Sequence, residues 1–175
     1  MDLSVIPECY VDTNLIETIV PPFGRYNHQK GCGTVAKVMK ERFSDDFALG
    51  IIDKDKNQLD YLKEFDVVHS SGNLFLHKHK TKHHYIIQIS PAVERFILSA
   101  TGTANLNLED YGLPSSIDAL KKVTKSTNSK EDYRFKNLFR DLKNIGGTEL
   151  DVLAAWVSHI KDNRYNVDLD FIKQA

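Results

Sequence analysis

Phe47-Ala-Leu-Gly-Ile-Ile-Asp-Lys-Asp-Lys56 is the stretch on which the reading of this chain turns. Residues 47–52 form an unbroken apolar run of strand length. Such a run predicts a strand buried on both faces, as in a sheet with helices on either side. The run ends in Asp53 and Asp55. Residues i and i+2 of an extended segment point the same way, so both carboxylates face one spot at the carboxyl end of a buried strand. In open α/β sheets that edge is where ligands bind. Magnesium suits the arrangement, since it takes one or two carboxylates, keeps several waters and accepts substrate phosphate oxygens. The plainer alternative is a solvated turn of alternating Asp and Lys.

Upstream, residues 3–7 (LSVIP) predict a short strand, with Pro7 marking an edge or a bulge. Asp12 or Thr13 is placed to cap a helix whose Leu15, Ile16, Ile19 and Val20 recur at helical spacing, and Pro21-Pro22 ends it. A turn-rich stretch leads to a second helix after Thr34, with Val35, Val38, Met39 and Phe43 on one face. Downstream, a short helix near 58–64 and strands at 66–68, 74–76 and 85–89 follow. The alternation predicts an α/β fold with a mostly parallel sheet flanked by helices.

After residue 90 the character changes. Ser90-Pro91 reads as a helix start with serine as cap, opening a helix over 91–100 that exposes Glu94 and Arg95. Ser115 with Asp118, Ser129 with Asp132, and Thr148 with Asp151 have capping-box spacing and predict helices near 116–125, 130–143 and 149–161. The chain thus divides into an α/β core at 1–90 and a helical C-terminal subdomain at 91–175.

The 175 residues are 41% hydrophobic and 27% charged, which supports a globular core. The net charge of −1 supplies no global field, so a polyanion must be held by a local basic patch. No signal-peptide pattern and no long apolar run is evident, which predicts a cytoplasmic protein without a membrane span. Cys9 and Cys32 form no zinc pattern and read as free thiols. No phosphate-binding Gly-rich loop with a Lys-Ser/Thr ending, no Gly-x-Gly-x-x-Gly fingerprint and no Gly-x-Ser-x-Gly elbow occurs.

Glu8 also follows a predicted strand. If that strand neighbours 47–52, Glu8, Asp53 and Asp55 converge. Together they resemble the Toprim family, the metal-dependent catalytic domain of topoisomerases, primases and the nucleases of overcoming-lysogenization-defect type. Glu8-Cys9-Tyr10-Val11-Asp12 resembles that family's Glu-Gly-x-x-Asp opening, with Cys9 in place of glycine, and the turn Lys30-Gly31-Cys32-Gly33 fits its second glycine site. The resemblance covers about residues 3–90. It implies Glu8 as general acid/base or metal ligand, Asp53 and Asp55 as ligands of Mg²⁺ or Mn²⁺, and nuclease-like phosphodiester chemistry. It also implies a partner ATPase subunit or a homo-oligomer, and it leaves Glu94 as a further candidate ligand. YVDTNLIETIV is similar instead to the opening of PIN-type ribonucleases, which makes Asp12 the ligand. A module that keeps the fold and binds a partner protein or nucleic acid without catalysis is the third reading.

The stretch Leu76–Tyr85 (LHKHKTKHHY) sets His77, His79, His83 and His84 among Lys78, Lys80 and Lys82. A His-x-His pair on a strand suits zinc or copper, but interleaved lysines repel a cation, and a solvated basic hairpin is the simpler expectation. Its three lysines make a phosphate-binding patch for nucleic acid. His28 and Lys30, in the glycine turn, are two more phosphate candidates. Trp156, among Leu153, Ala154, Val157 and Ile160, reads as core.

Overall fold

The computed structural model describes residues 1–54 and 59–174. Asp55, the second acid of the Asp-x-Asp pair, lies outside the described residues. The sheet has five strands in the order β1-β2-β5-β4-β3. They are β1 (Val5–Pro7), β2 (Ala48–Asp53), β3 (Phe65–Ser71), β4 (Leu74–His79) and β5 (His84–Ile89). β1 with β2 and β2 with β5 are parallel, while β5 with β4 and β4 with β3 are antiparallel. The sheet is therefore mixed, where the alternation of elements predicted a mostly parallel one. The reason is local: Gly72, at φ +54°, joins β3 to β4 in a tight turn, and residues 80–83 join β4 to β5. Connections this short reverse a strand, whereas parallel pairs need a crossover.

Among the described residues there are seven α-helices: α1 (Tyr10–Ile19), α2 (Cys32–Arg42), α3 (Val93–Thr103), α4 (Ile117–Thr124), α5 (Tyr133–Ile145), α6 (Glu149–Asn163) and α7 (Leu169–Gln174). α2 covers one sheet face, packing Val35, Ala36 and Met39 with Ile6, Ala48, Ile52 and Ile86. A Cβ on Gly50 would meet Met39 Sδ and Val35 Cγ1 at 3.0 Å, so the glycine is what allows α2 to lie this close. The other face packs Val5, Leu49, Ile51, Ile87 and Ile89 against α1 and the helices after residue 90. β2 is thus buried on both faces, which explains its continuous apolar run. The residue-90 boundary separates sheet from helices, but the core is continuous across it, with Leu15, Phe96, Leu138, Phe139 and Trp156 in one apolar cluster.

The outer edge of β1 is covered. Residues 27 and 29 donate backbone N–H groups to the carbonyls of Val5 and Pro7 at 3.0 Å each, without forming a regular strand. Helix starts differ from the sequence expectation in three places. Cys9, not Asp12 or Thr13, is the cap residue of α1, its Sγ accepting from Asp12 N–H at 3.4 Å. Ala92, not Ser90, precedes α3. α4 and α5 are capped by Ser116 and Asp132, one and three residues later than expected. Thr148 and Asp151 do form a reciprocal capping box at α6.

Candidate functional site

β1 and β2 run side by side in parallel, β1 ending at Pro7 opposite Ile51 and β2 continuing two residues further to Asp53. Glu8 N–H donates to Ile51 C=O at 2.9 Å, and the Glu8 carboxylate accepts from Asp53 N–H at 2.9 Å. The two acids therefore meet at the carboxyl ends of adjacent parallel strands, as their positions in the sequence predict. β5 ends beside them, with Ile89 opposite Asp53. The chain then turns into α3, and the Asp53 carboxylate accepts from Val93 N–H at 2.9 Å, capping α3 from another strand. That contact explains why α3 lacks a cap residue of its own: a carboxylate at a helix N-terminus satisfies an orphan N–H group and meets the positive end of the helix dipole.

Two further acids join from the helices. Asp12, in the first turn of α1, is 1% exposed. Both of its carboxylate oxygens are buried without a conventional hydrogen-bond partner. Glu94, in the first turn of α3, is buried, not exposed as its sequence context suggests, and accepts from Thr124 Oγ at 2.5 Å. Burial, opposed in part by the Cys9 thiol and reinforced by Glu8 and Glu94, raises Asp12 to about 7. Burial and the charges of Asp12, Glu8 and Glu94 push Asp53 up to about 9. Burial and the neighbouring Asp12 raise the Cys9 thiol. Four carboxylates therefore lie within electrostatic reach of one another. Gathering them costs free energy that a cation would offset.

Glu8, Asp53 and Glu94 line a cleft with two lobes, and Asp12 lies buried behind its wall. One, of about 520 Å³, is bounded by Glu8, Asp53 and Glu94 together with Lys54, Arg95, Lys121 and Lys125. The other, of about 450 Å³, shares those three acids and Lys125 and adds Cys9, Tyr10, Lys30 and Thr124. Among the described residues, no three His, Cys, Asp or Glu side chains are gathered as a ready-made metal-ligating group. Magnesium does not need one, because one or two carboxylates with retained waters and substrate phosphates suffice.

No family model, curated protein or solved structure matches this chain. The function is therefore argued from the cleft itself.

The remaining sequence candidates divide. Lys30 lines the second lobe. His28 turns its Nδ1 to Thr13 Oγ at 2.8 Å and stacks on Tyr10, and burial followed by Lys130 lowers its pKa. Lys78, Lys80 and Lys82 lie elsewhere. Lys78 sits opposite Tyr85, near the start of β5, whereas the acids gather beyond its last residue. Four residues of strand separate the two levels, about 13 Å. Each of the three Nζ groups donates to a carbonyl: Lys78 to His79, Lys80 to Lys63 and Lys82 to Ser44.

Three of the four histidines there are not solvated, and only His83 is exposed. His77, His79 and His84 are buried. Tyr61 Oη lies 2.6 Å from His84 Nδ1, and Phe43 C=O accepts from His84 Nε2 at 2.7 Å, while His79 pairs with Glu64. Of the Asp-Thr-Asn triplet at 12–14, Thr13 bonds Cys9 C=O and Asn14 donates to the carbonyls of Ser129 and Asp132, so both are structural. Sequence reasoning did not reach Thr124, Lys121 and Lys125 as parts of the site. Their only sequence signal is the i, i+4 spacing of Lys121 and Lys125.

Proposed function

We propose that this cleft carries out metal-dependent hydrolysis of a phosphodiester in nucleic acid, with the α/β part acting as a Toprim-like nuclease core. The observation that carries the reading is Asp12, a buried carboxylate with only the Cys9 thiol beside its oxygens, in reach of Glu8, Asp53 and Glu94 near the carboxyl ends of two parallel strands. An uncompensated buried charge is costly, and a divalent cation beside these acids removes the cost. Asp53 and Glu8 are the ligand candidates, with Asp12 and Glu94 next to them; Asp55 belongs to the same proposal. Mg²⁺ or Mn²⁺, when bound, supplies Lewis-acid polarisation of a phosphoryl oxygen and a lowered pKa for water. Glu8 accepts the proton of the attacking water as its oxygen bonds to phosphorus; one P–O ester bond breaks, and the leaving oxygen is protonated from solvent. The Toprim-like reading based on Glu8 and the PIN-like reading based on Asp12 need not compete, because both acids lie in one electrostatic cluster.

A second reading has its own support. Asp53 caps α3 and Glu94 bonds Thr124, so the acids also fasten the helices to the sheet, as a non-catalytic binding module would use them. Calorimetric titration of Mn²⁺ into the wild type and into Glu8→Gln, Asp12→Asn and Asp53→Asn separates the two. The catalytic reading expects binding by the wild type, at least tenfold weaker binding by Glu8→Gln and Asp53→Asn, and divalent-dependent cleavage of an oligonucleotide that these variants lose. Absence of Mn²⁺ binding by the wild type at neutral pH leaves the binding module.

A further inference from the structure

Outside the acids, the cleft's distinctive feature is its cations. Arg95, Lys121, Lys125 and Lys30 are exposed side chains on its walls. Among the described residues none of them makes an ion pair, although carboxylates lie in the same cleft. Elsewhere among the described residues some lysines are paired, Lys63 with Asp60, Lys136 with Glu131, Lys161 with Asp162 and Lys173 with Asp170, while others such as Lys37 and Lys122 are not; what sets the cleft apart is that its cations converge on one concave wall. Lys54, the fifth cation of the walls, lies over the Phe75 ring, its Nζ 4.9 Å from the centroid.

Lys121 and Lys125 are one helical turn apart, so they project from the same side of α4 and its C-cap. Thr124 lies between them and bonds Glu94, which fixes this end of α4 against the first turn of α3. The same bond sets Lys121 and Lys125 beside the acids. An anion is the partner that unpaired cations of this spacing recognise. It must also tolerate neighbouring carboxylates, which a metal-bridged phosphate does.

We infer that Lys121 and Lys125, with Arg95, grip the backbone phosphates of a single-stranded polynucleotide entering the acidic cleft. The inference rests on the phosphodiester reading of the acids and adds to it the strand-holding residues and the strandedness. The basis for one strand is size and lining. Each lobe is within the range of a small-ligand site, about 300–1,000 Å³, which fits a nucleotide of one strand and not a base pair with both its backbones. The cationic lobe suits a phosphate, and the adjoining lobe lined by Tyr10 and Val93 offers an apolar wall for the attached sugar and base. Backbone-tracking cations beside an aromatic wall are the common means of holding single strands without reading sequence.

The test is fluorescence anisotropy with a short fluorescein-labelled single-stranded oligonucleotide, in DNA and RNA forms, in Ca²⁺ buffer. The double variant Lys121→Ala/Lys125→Ala is expected to weaken binding at least tenfold and to lower the salt slope of log K by about 1.4, two phosphate contacts on a single strand. Both lysines are exposed, so an unchanged melting temperature is expected to show that the fold is intact. Unchanged oligonucleotide affinity in this variant overturns the inference. So does an equal loss in Lys78→Ala/Lys80→Ala, or binding of the matching duplex as tightly as the single strand. Mn²⁺ calorimetry on the same proteins keeps the two proposals apart. Lysine-dependent strand binding without Mn²⁺ binding sinks the nuclease reading and leaves this one standing; Mn²⁺ binding with strand affinity indifferent to the lysines does the reverse.

Discussion

Asp12 is the residue with the least local justification for its position. A helix can place an acid in its first turn on the solvent side at no cost, yet this one is turned inward, with only the Cys9 thiol beside its oxygens. Its replacement by asparagine removes the charge and keeps the shape. In ion-free protein at pH 8, Asp12→Asn is expected to raise stability by about 1–2 kcal/mol, because a buried neutral amide costs less than a buried unpaired carboxylate. Urea unfolding measures this, and a loss of divalent-dependent cleavage in the same variant ties the stored cost to function. The sequence showed the acid but not its direction. Serine, threonine, aspartate and asparagine are the usual caps, so Asp12 or Thr13 was the natural choice. Cys9 takes the role, which moves the start of α1 upstream and turns Asp12 into the core.

Elements explain why Glu8 and Asp53 were legible and Glu94 was not. Strand ends are marked by the end of an apolar run, and because β1 and β2 are parallel neighbours, Glu8 just past the end of β1 reaches Asp53 at the end of β2. Glu94 depended on where α3 begins. Reading Ser90-Pro91 as the start shifts the helix and leaves Glu94 on the outer face. In the fold the cap comes from Asp53, 40 positions earlier. This contact is tested by a pair of variants. At about pH 4, where burying this carboxyl carries little ionisation cost, Asp53→Ala removes the acceptor and is expected to cost about 1 kcal/mol, the usual loss for a helix N-cap. Asp53→Asn keeps an acceptor oxygen and is expected to be at least as stable as wild type, while both lose Mn²⁺ affinity. Thermal melts in chelator followed by Mn²⁺ titration give both quantities. Lys78 on β4, with Lys80 and Lys82 in the turn after it, shows the opposite error of local reading. Their clustering in sequence suggested a phosphate patch, but an antiparallel strand carried them to the far end of the sheet, a matter of pairing that no short motif records.

At the scale of the whole molecule the cluster makes stability depend on pH. Asp12 and Asp53 bind their protons more tightly folded, at about 7 and about 9, than an unfolded aspartate at about 3.9. Folding therefore takes up protons. The contribution is full below about pH 4, declines as pH rises through the two folded values and is spent above them. The melting temperature of chelator-treated protein is expected to fall between about pH 5 and pH 9 on this account. Added Mg²⁺ is expected to reverse most of the fall at pH 8, since an ion that binds only the folded chain stabilises it by mass action. Scanning calorimetry across that range, with and without the ion, checks both statements. The overall class, sheet and helices with a helical second half, was legible because apolar periodicity and turn residues are local. The order of the strands and the shared core were not, because they depend on which faces meet.

The continuous core and the Thr124–Glu94 bond have a consequence for how this chain can be altered by recombination. The cleft is a seam: one wall comes from residues before position 90, the other from residues after it. A crossover between homologous genes near that point would join walls shaped by different histories, so the residues on its two sides have to be exchanged together.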